Sequence, residues 1–287
     1  MNSGNNIEKI IKINKNESDA AKILYGTVLG RCILKILINP IISKIVGAYM
    51  NTKASTIHIK RFIINNNIEM ADYKDVKYKS FNDFFTRKVK EGKRIVDMNP
   101  KHLITPCDSR VISYTIGDKT TFTIKGTNYS IKDLLKNEEL AEKYKGGTLY
   151  IFRLCVDDYH RYCYIDSGRK QRNIYIKGKL HTVRPIALER YNIYKENSRE
   201  YTILHTDNFG DVCQVEVGAM LVGKIKNNHE EYSFTKGEEK GMFEFGGSTI
   251  ALILGKDKVK VDQNILKNSR KGLETKVKLG SKVGEKI

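Results

Sequence analysis

Residues 243–254 read Phe-Glu-Phe-Gly-Gly-Ser-Thr-Ile-Ala-Leu-Ile-Leu, and the interpretation of the whole chain starts from them. Two apolar runs flank a Gly-Gly-Ser-Thr step, and each run is too short for a helix but suits a strand. Paired glycines inside a strand typically mark a bulge or a close approach of two backbones. A chemical interpretation also exists, because the Ser248 hydroxyl can attack the carbonyl of side-chain-free Gly247 in an N-to-O acyl shift. The local pattern leaves both interpretations open.

The 287-residue chain has the composition of a globular protein, with 40% hydrophobic and 29% charged residues. Its formal net charge of +18 favours a polyanionic partner, either nucleic acid or an anionic membrane surface. No zinc-ligand spacing or aromatic RNA-binding motif accompanies the charge, so no nucleic acid and no metal are expected. Five cysteines without a CxxC pair argue for a reducing compartment and against a disulfide framework.

Residues 1–75 are predicted to form a helical, basic region. Between Ala20 and Met50 apolar residues dominate, but lysines and arginines interrupt them and Pro40 breaks the helical pattern. The uncharged apolar stretches are far shorter than the roughly 20 residues that a membrane-spanning helix needs. The pattern therefore fits either a helix packed on the protein's own core or a helix lying in a membrane interface.

Residues 76–287 are predicted to form a β-rich catalytic body. Short β patterns separated by Gly, Asn and Asp turns recur from Leu103 onwards, with a helical interruption at residues 131–144. Before them, Ser80 is placed to cap a short helix. Three phenylalanines share one face of that helix: Phe81, Phe84 and Phe85. The expected fold class is α+β, with an N-terminal helical membrane-facing region on a mostly antiparallel β body.

Three side chains supply the types of group that form a nucleophilic triad. Ser248 is the candidate nucleophile, His160 follows an apolar strand, and Asp108 lies in a turn after Pro106. The histidine can act as a general base because its unperturbed pKa lies near neutrality. The alternatives are a structural histidine, an aspartate that only forms a turn, and a serine in a bulged strand.

Seven further sequence segments occur in order along the chain. They are SFNDFFTR (80–87), Pro106-x-Asp108, RLCVDDYHRY (153–162), TVRPIAL (182–188), ENSR (196–199), FGDVCQVEVGAMLVGKI (209–225) and FGGST (245–249). From about Tyr78 to the C-terminus the chain thereby resembles the phosphatidylserine decarboxylase family, pyruvoyl-dependent enzymes made as self-cleaving proenzymes. Its GGST is similar to the LGST cleavage motif that is most frequent in that family.

The resemblance implies self-cleavage between Gly247 and Ser248, which gives a large chain 1–247 and a small chain 248–287. It implies that Asp108 holds a histidine that deprotonates Ser248, and that Ser248 becomes the covalent pyruvoyl cofactor with loss of ammonia. In such enzymes the ketone forms a Schiff base with phosphatidylserine and accepts electrons as carbon dioxide leaves, which yields phosphatidylethanolamine. His160 is expected to protonate the resulting carbanion.

Two positions depart from the family's pattern. Many relatives carry two histidines three residues apart, one for decarboxylation and one for self-cleavage, whereas this chain has His160 and Cys163. We expect His160 to serve both steps, and Cys163, another histidine or a changed geometry are the alternatives for the base. Ser109 replaces the glycine that commonly follows the aspartate, which affects the local turn and not Asp108 itself.

The resemblance also connects the positive charge with the N-terminal pattern. Because the substrate is an anionic lipid, residues from about 20 to 65 are expected to attach the protein peripherally to the cytoplasmic side of the cell membrane. The expected partners are phosphatidylserine, an anionic membrane surface and the two chains of one proenzyme, and a homodimer stays open. A non-catalytic β-sandwich module and a serine hydrolase are competing interpretations. Both would leave the chain uncleaved, and the sequence has no GxSxG elbow.

Overall fold

In a computed structural model, the protein is described at residues 10–11, 27, 40–124, 127–179, 196–218, 224–246 and 248–287. Its α-helices are α1 (Pro40–Met50), α2 (Ile59–Asn65), α3 (Phe81–Phe85), α4 (Ile131–Leu135), α5 (Glu138–Glu142) and α6 (Gln263–Arg270), and 3₁₀ helices cover Lys53–His58 and Met70–Asp72. The strands are β1 (Ile10–Ile11), β2 (His102–Ile104), β3 (Ser109–Thr115), β4 (Thr121–Ile124), β5 (Thr127–Ser130), β6 (Thr148–Leu154), β7 (Arg161–Cys163), β8 (Gly168–Lys170), β9 (Ile174–Ile176), β10 (Arg199–Thr206), β11 (Gly210–Gly218), β12 (Ile225–Asn227), β13 (Tyr232–Phe234), β14 (Glu239–Phe243), β15 (Ser248–Leu254), β16 (Val259–Val261), β17 (Glu274–Val277) and β18 (Lys282–Lys286).

Antiparallel sheet dominates the described residues, which confirms the predicted α+β class. Ten strands form one sheet in the order β1-β17-β3-β6-β15-β11-β10-β8-β13, with β9 paired to β10. Two three-stranded sheets, β12-β14-β7 and β16-β18-β2, and the β4-β5 hairpin complete the described strands. Strand β15 pairs with β6 on one side and β11 on the other, so Ser248 begins a central strand.

Strand β15 is buried along its whole length because the large sheet is covered on both faces. Ile250 and Leu252 pack into one core cluster, whereas Ala251 and Ile253 pack into the cluster on the opposite face. Burial on both faces explains why this strand is a continuous apolar run instead of an alternating one. Side chains alternate along a strand, so Ser248 points to the same face as Ile250, which we call the inner face.

The Gly-Gly step joins two different sheets. Strand β14 ends at Phe243 in a three-stranded sheet, whereas β15 begins at Ser248 in the ten-stranded sheet. Gly246 has a φ of +138°, a conformation that L side chains rarely adopt. The step is therefore a crossover between sheets, and the interpretation as a bulge within one strand is wrong. Gly247 lies outside the described residues.

Helices occupy much of the described part of the N-terminal region. Helix α1 begins at Pro40, which suits the first turn because a residue there needs no N–H donor. No described helix is both long enough and apolar enough to cross a membrane. Ile10 and Ile11 differ from the predicted helical character because they pair with β17. Apart from them and Thr27, residues 1–39 lie outside the described part of the chain.

Aromatic side chains pack the N-terminal helices against the β body. Ser80 caps α3, as predicted, by accepting a hydrogen bond from the N–H of Asp83 at 3.1 Å. The ring centroid of Phe62 in α2 lies 5.0 Å from that of Phe81 and 6.2 Å from that of Phe245. Since Phe245 is three residues before Ser248, this aromatic packing brings α2 close to the start of β15.

Candidate active site

Ser248 is the first residue of β15, and its hydroxyl is buried without a hydrogen-bond partner. It lies opposite Leu154 of β6 and Gly218 of β11. Nearly all buried polar groups in proteins are hydrogen-bonded, and an exception calls for an explanation by strain, an ordered water molecule or a catalytic role. Ser248, the predicted nucleophile, therefore carries a buried hydroxyl that no other group binds.

His160 directly precedes β7, and its imidazole is fully buried. Its Nε2 lies 2.9 Å from the carbonyl oxygen of Cys155. Because a carbonyl oxygen can only accept, Nε2 carries the proton and donates it, and Nδ1 keeps its lone pair. Nδ1 has no hydrogen-bond partner. The site thus contains a neutral histidine with one available basic nitrogen.

Burial and the nearby charge of Arg87 lower the pKa of His160 to about 3. The imidazole is therefore neutral at neutral pH and can accept a proton, and its lowered pKa makes it a weaker base than a free imidazole. Arg87 is itself buried and donates to the carbonyl oxygens of Asp157 at 3.2 Å and Asp158 at 3.4 Å. These bonds hold the segment that leads into His160. The guanidinium also lies over the Tyr73 ring, 4.2 Å from its centroid.

Two sets of contacts bring His160 to the end of β15 that carries Ser248. Cys155, whose carbonyl holds the imidazole, directly follows the β6 residue opposite Ser248. On the other side, the ring centroid of Phe85 lies 4.1 Å from that of His160 and 5.3 Å from that of Phe245. The histidine and the serine therefore share one aromatic-lined end of the central strand.

Among the described residues, Asp108 makes no hydrogen bond to a histidine. Its carboxylate accepts hydrogen bonds from Arg94 Nε at 2.8 Å, from Arg94 Nη2 at 2.6 Å and from the N–H of Leu279 at 2.8 Å. Arg94 also donates to Asp72 at 3.2 Å. Asp108 is thus an anchor between the N-terminal segment and the C-terminal part of the chain. None of the described histidines makes the contact by which Asp108 was predicted to orient a histidine.

Cys163 occupies the position of the family's second histidine and is buried in β7. Its Sγ lies 3.9 Å from the carbonyl oxygen of Thr105, and its N–H donates to the carbonyl of Pro106 at 2.9 Å. Burial raises the pKa of the Cys163 thiol to about 12. A thiol that stays protonated at neutral pH is a poor base, so the geometry favours His160 over Cys163 for that role.

Replacing Arg94 with methionine should lower the free energy of unfolding by about 3–5 kcal/mol, because the nearly buried Asp108 carboxylate then loses its cation. Denaturant titration of the purified variant measures the change. Arg172→Met is the matched control, since the ion pair of Arg172 with Glu231 is exposed. It should change stability by less than about 1 kcal/mol. Equal losses in the two variants would contradict the anchoring role of Asp108.

Cys155, Asp157 and Asp158 place three ligand atoms of the kind that bind metals within 4.8 Å of one another. Two guanidinium groups contact the same cluster, Arg153 at 3.0 Å from Cys155 Sγ and Arg110 at 3.3 Å from Asp158. The carboxylate of Asp158 also accepts the N–H of Cys155 at 2.7 Å. The two positive charges oppose a cation, so the contacts favour a structural role in shaping the turn before His160.

Several supporting residues of the site were not predicted from the sequence. Arg87 and Cys155 lie inside the sequence segments that resemble the family, so those segments could have indicated them. The hydrogen bond from His160 to the Cys155 carbonyl could not be predicted, because a backbone carbonyl does not depend on the side-chain pattern. Arg94 lies outside those segments, and its partner Asp108 is 14 residues away. Long-range pairing of this kind cannot be inferred from one sequence.

The described residues thus place a buried serine and a buried neutral histidine, both without a hydrogen-bond partner at the reacting atom, near the start of the central strand of an α+β protein, which is the composition of a candidate serine–histidine enzyme site. A model of the phosphatidylserine decarboxylase family matches residues 81–285. The chain is 50% identical over 265 residues to phosphatidylserine decarboxylase proenzyme 2 of Clostridium acetobutylicum, covering 92% of this chain and 91% of that protein. It is 42% identical over 290 residues to the phosphatidylserine decarboxylase proenzyme of Clostridium novyi, covering 99% and 98%. The chain belongs to the phosphatidylserine decarboxylase family and is a decarboxylase, which confirms the family predicted from its motifs.

Proposed function

We propose that this chain is a proenzyme that cuts itself between Gly247 and Ser248 and then decarboxylates phosphatidylserine to phosphatidylethanolamine with a pyruvoyl group at position 248. One observation carries the proposal: two unpartnered buried groups, the Ser248 hydroxyl and His160 Nδ1, lie at the same end of β15. Membership of the family supports the decarboxylation, and relatives named as proenzymes support the processing.

In the proposed first step of self-cleavage, His160 is the base and Ser248 is the nucleophile. Nδ1 of His160 takes the proton of the Ser248 hydroxyl while its oxygen attacks the carbonyl of Gly247. The carbonyl of Cys155 holds the other ring nitrogen and so keeps the reactive tautomer in place. The protonated imidazole then returns the proton to the nitrogen of residue 248, which leaves an ester. β-Elimination of this ester separates the two chains and leaves dehydroalanine at position 248.

The surroundings of Ser248 fit a small covalent carbonyl group. The hydroxyl makes no hydrogen bond that its conversion would break, and Gly218 opposite has no side chain. A pyruvoyl ketone at this position supplies an electrophile for the amine of phosphatidylserine and an acceptor for the electrons that remain as carbon dioxide leaves. The buried strand excludes bulk water, and His160 is proposed to take a proton from the substrate amine as the Schiff base forms and to return it to the product.

We also propose peripheral attachment to the cytoplasmic side of an anionic membrane, and the exposed side chains of the N-terminal helices support the attachment itself. In α1, Ile41, Ile45 and Tyr49 are 63%, 61% and 40% exposed, and their spacing puts them on one helix face. Ile57 and Ile64 add 73% and 63% exposed side chains. Exposed basic residues accompany them: Lys44, Lys53, Lys60 and Arg61. Aliphatic side chains flanked by positive charge suit the interface of an anionic bilayer.

This exposed surface lies next to the proposed site. Phe62 of α2 contacts Phe81, Phe85 and Phe245, and the Phe85 ring packs on His160. A lipid held at the outer side of the helices is therefore close to the aromatic residues that border the reacting pair. The arrangement supports a substrate that stays in its membrane while its headgroup reacts.

Replacing Ile41, Ile45 and Ile57 with serine should weaken binding to phosphatidylserine-containing vesicles by about tenfold or more, because the variant loses apolar area that enters the bilayer. Vesicle sedimentation measures the bound fraction. The control replaces Ile174 and Tyr175, which are exposed on the β body, and it should bind as the parent does. Unchanged binding of the triple variant, or equal loss in both proteins, would refute attachment through this surface.

The intact mass of the purified protein under denaturing conditions tests the proposed function directly. Two chains should appear, divided between Gly247 and Ser248, and the small chain should be lighter by one ammonia than a serine-terminated fragment. The same sample should convert phosphatidylserine to phosphatidylethanolamine. A single chain of full mass, in a preparation that is folded, would contradict the proposal.

A further inference from the structure

A second group of buried polar side chains lies on the inner face of the large sheet. Glu216 of β11 and Lys240 of β14 are both fully buried, and the Lys240 Nζ lies 2.7 Å from Glu216 Oε1. Nζ also donates to Asn227 Oδ1 at 2.6 Å, and Gln214 Nε2 donates to Glu216 Oε1 at 2.9 Å. We call these four residues the Glu216 cluster. It links the ten-stranded sheet to the sheet β12-β14-β7.

Two acceptor atoms of the Glu216 cluster, Glu216 Oε2 and Gln214 Oε1, are buried without a hydrogen-bond partner. Asn227 Nδ2, a donor atom of the same cluster, is also buried without a hydrogen-bond partner. Buried polar atoms that lack a protein partner are normally satisfied by ordered water. The unpartnered atoms therefore point to a small polar ligand that both donates and accepts hydrogen bonds.

The Glu216 cluster lies on the same face as the reacting residue. In the pairing of β11 with β15, Gly218 is opposite Ser248 and Glu216 is opposite Ile250. Residues two apart on a strand share a face, so Ser248 and Glu216 are diagonal neighbours there. Since Gly218 has no side chain, no β11 side chain stands between the serine and the glutamate.

Conversion of residue 248 into a ketone requires water at a buried position. The acyl shift exchanges the amide bond between residues 247 and 248 for an ester, and the β-elimination removes the α-proton of residue 248 and breaks the Cβ–O bond, so neither step consumes water. The dehydroalanine amine then tautomerises to an imine, one water molecule adds to its carbon, and one molecule of ammonia leaves as the ketone forms. No oxidant or reductant is needed. Because Ser248 is fully buried, a water molecule bound by polar side chains next to it would be positioned for this step.

We propose that the Glu216 cluster binds the water that hydrolyses the imine at position 248 and receives the ammonia that leaves. Glu216 Oε2 accepts a hydrogen bond from the attacking water, and the Lys240 ammonium balances the charge of the carboxylate. Gln214 Oε1 offers a second acceptor for ammonia. The inference rests on the proposed function and assigns a water and ammonia site to residues outside the serine–histidine pair.

The double variant Glu216→Leu/Lys240→Met tests the proposal. It replaces a buried ion pair with apolar side chains of similar volume, a change that proteins often tolerate without loss of stability. The full chain is made by cell-free translation and sampled over time. Gel electrophoresis follows chain cleavage, and a borohydride quench followed by mass spectrometry identifies the end of the small chain. Borohydride turns an imine into N-terminal alanine and a ketone into a lactyl group, which differ in mass.

The double variant should cleave at nearly the parent rate, whereas its ketone should form at least about tenfold more slowly than the cut. Lys236→Met is the matched control, because Lys236 is a buried lysine that donates to the carbonyls of Asn99 and His102, both at 2.7 Å, outside the cluster. In this control variant, the ketone should form as fast as the chain is cleaved. Glu216→Met/Lys240→Leu, which also leaves no unpaired buried charge, serves as the second variant if the first double variant does not fold, with the same expected lag.

Ketone formation that keeps pace with cleavage in these variants would overturn the proposal, and so would equal slowing of both steps. Failure of the proposed function gives a different result. In that case the parent chain itself stays whole, and no small chain is available for analysis.

Discussion

Replacing Ser248 with alanine should leave a single chain of full mass, with no ketone and no decarboxylase activity. The variant lacks the oxygen that attacks Gly247, and no other residue of β15 carries a hydroxyl on the inner face. Thr249 points to the opposite face, since it is the next residue along the strand. The fold should survive because the serine hydroxyl makes no hydrogen bond, so unfolding free energy should change by less than about 1 kcal/mol.

Thr249→Ala is the matched control for that experiment. Its hydroxyl is also buried and unpartnered in β15, so the two variants remove equivalent groups from adjacent positions. The control should be cut into two chains, as the parent is. Intact mass and release of carbon dioxide from phosphatidylserine are the measurements. A Ser248→Ala protein that is still divided at the same bond would refute the role of Ser248.

Replacing His160 with alanine should slow self-cleavage by at least about a hundredfold, the usual contribution of a general base. Nδ1 of His160 is the only unpartnered basic nitrogen that the described residues bring to this end of β15. Cys163→Ala should cleave at nearly the parent rate, because burial keeps that thiol protonated and it lies beside Thr105. The fraction of cut chain over time, in cell-free translation, gives both rates.

Two further variants separate loss of the base from loss of packing. His160→Gln keeps a donor for the Cys155 carbonyl but has no basic nitrogen, so it should also stay whole. Added imidazole should restore part of the cleavage to His160→Ala by occupying the space of the missing ring. Normal cleavage of His160→Ala would contradict the assignment of His160 as the base. An uncleaved Cys163→Ala chain would indicate that the Cys163 thiol is the base.

Local sequence patterns were sufficient for the α+β class, the cap at Ser80 and the buried run of β15. They succeeded because a helix cap and a strand buried on both faces depend on neighbours a few residues away. The motifs and their order along the chain were also sufficient to predict the family. The same motifs placed Ser248 and His160 among the candidate residues without establishing that both lie at the same end of β15.

Other properties depend on contacts between distant parts of the chain. Asp108 binds Arg94 and the N–H of Leu279, 171 residues away, so its partner could not be inferred from the turn in which it lies. The tautomer of His160 depends on a backbone carbonyl, and a backbone carbonyl has no sequence signature. The pairing of Glu216 with Lys240 arises because two sheets pack face to face, which makes two buried charges tolerable only together. Sequence periodicity reports which residues are buried, whereas the packing of sheets determines which buried groups become neighbours.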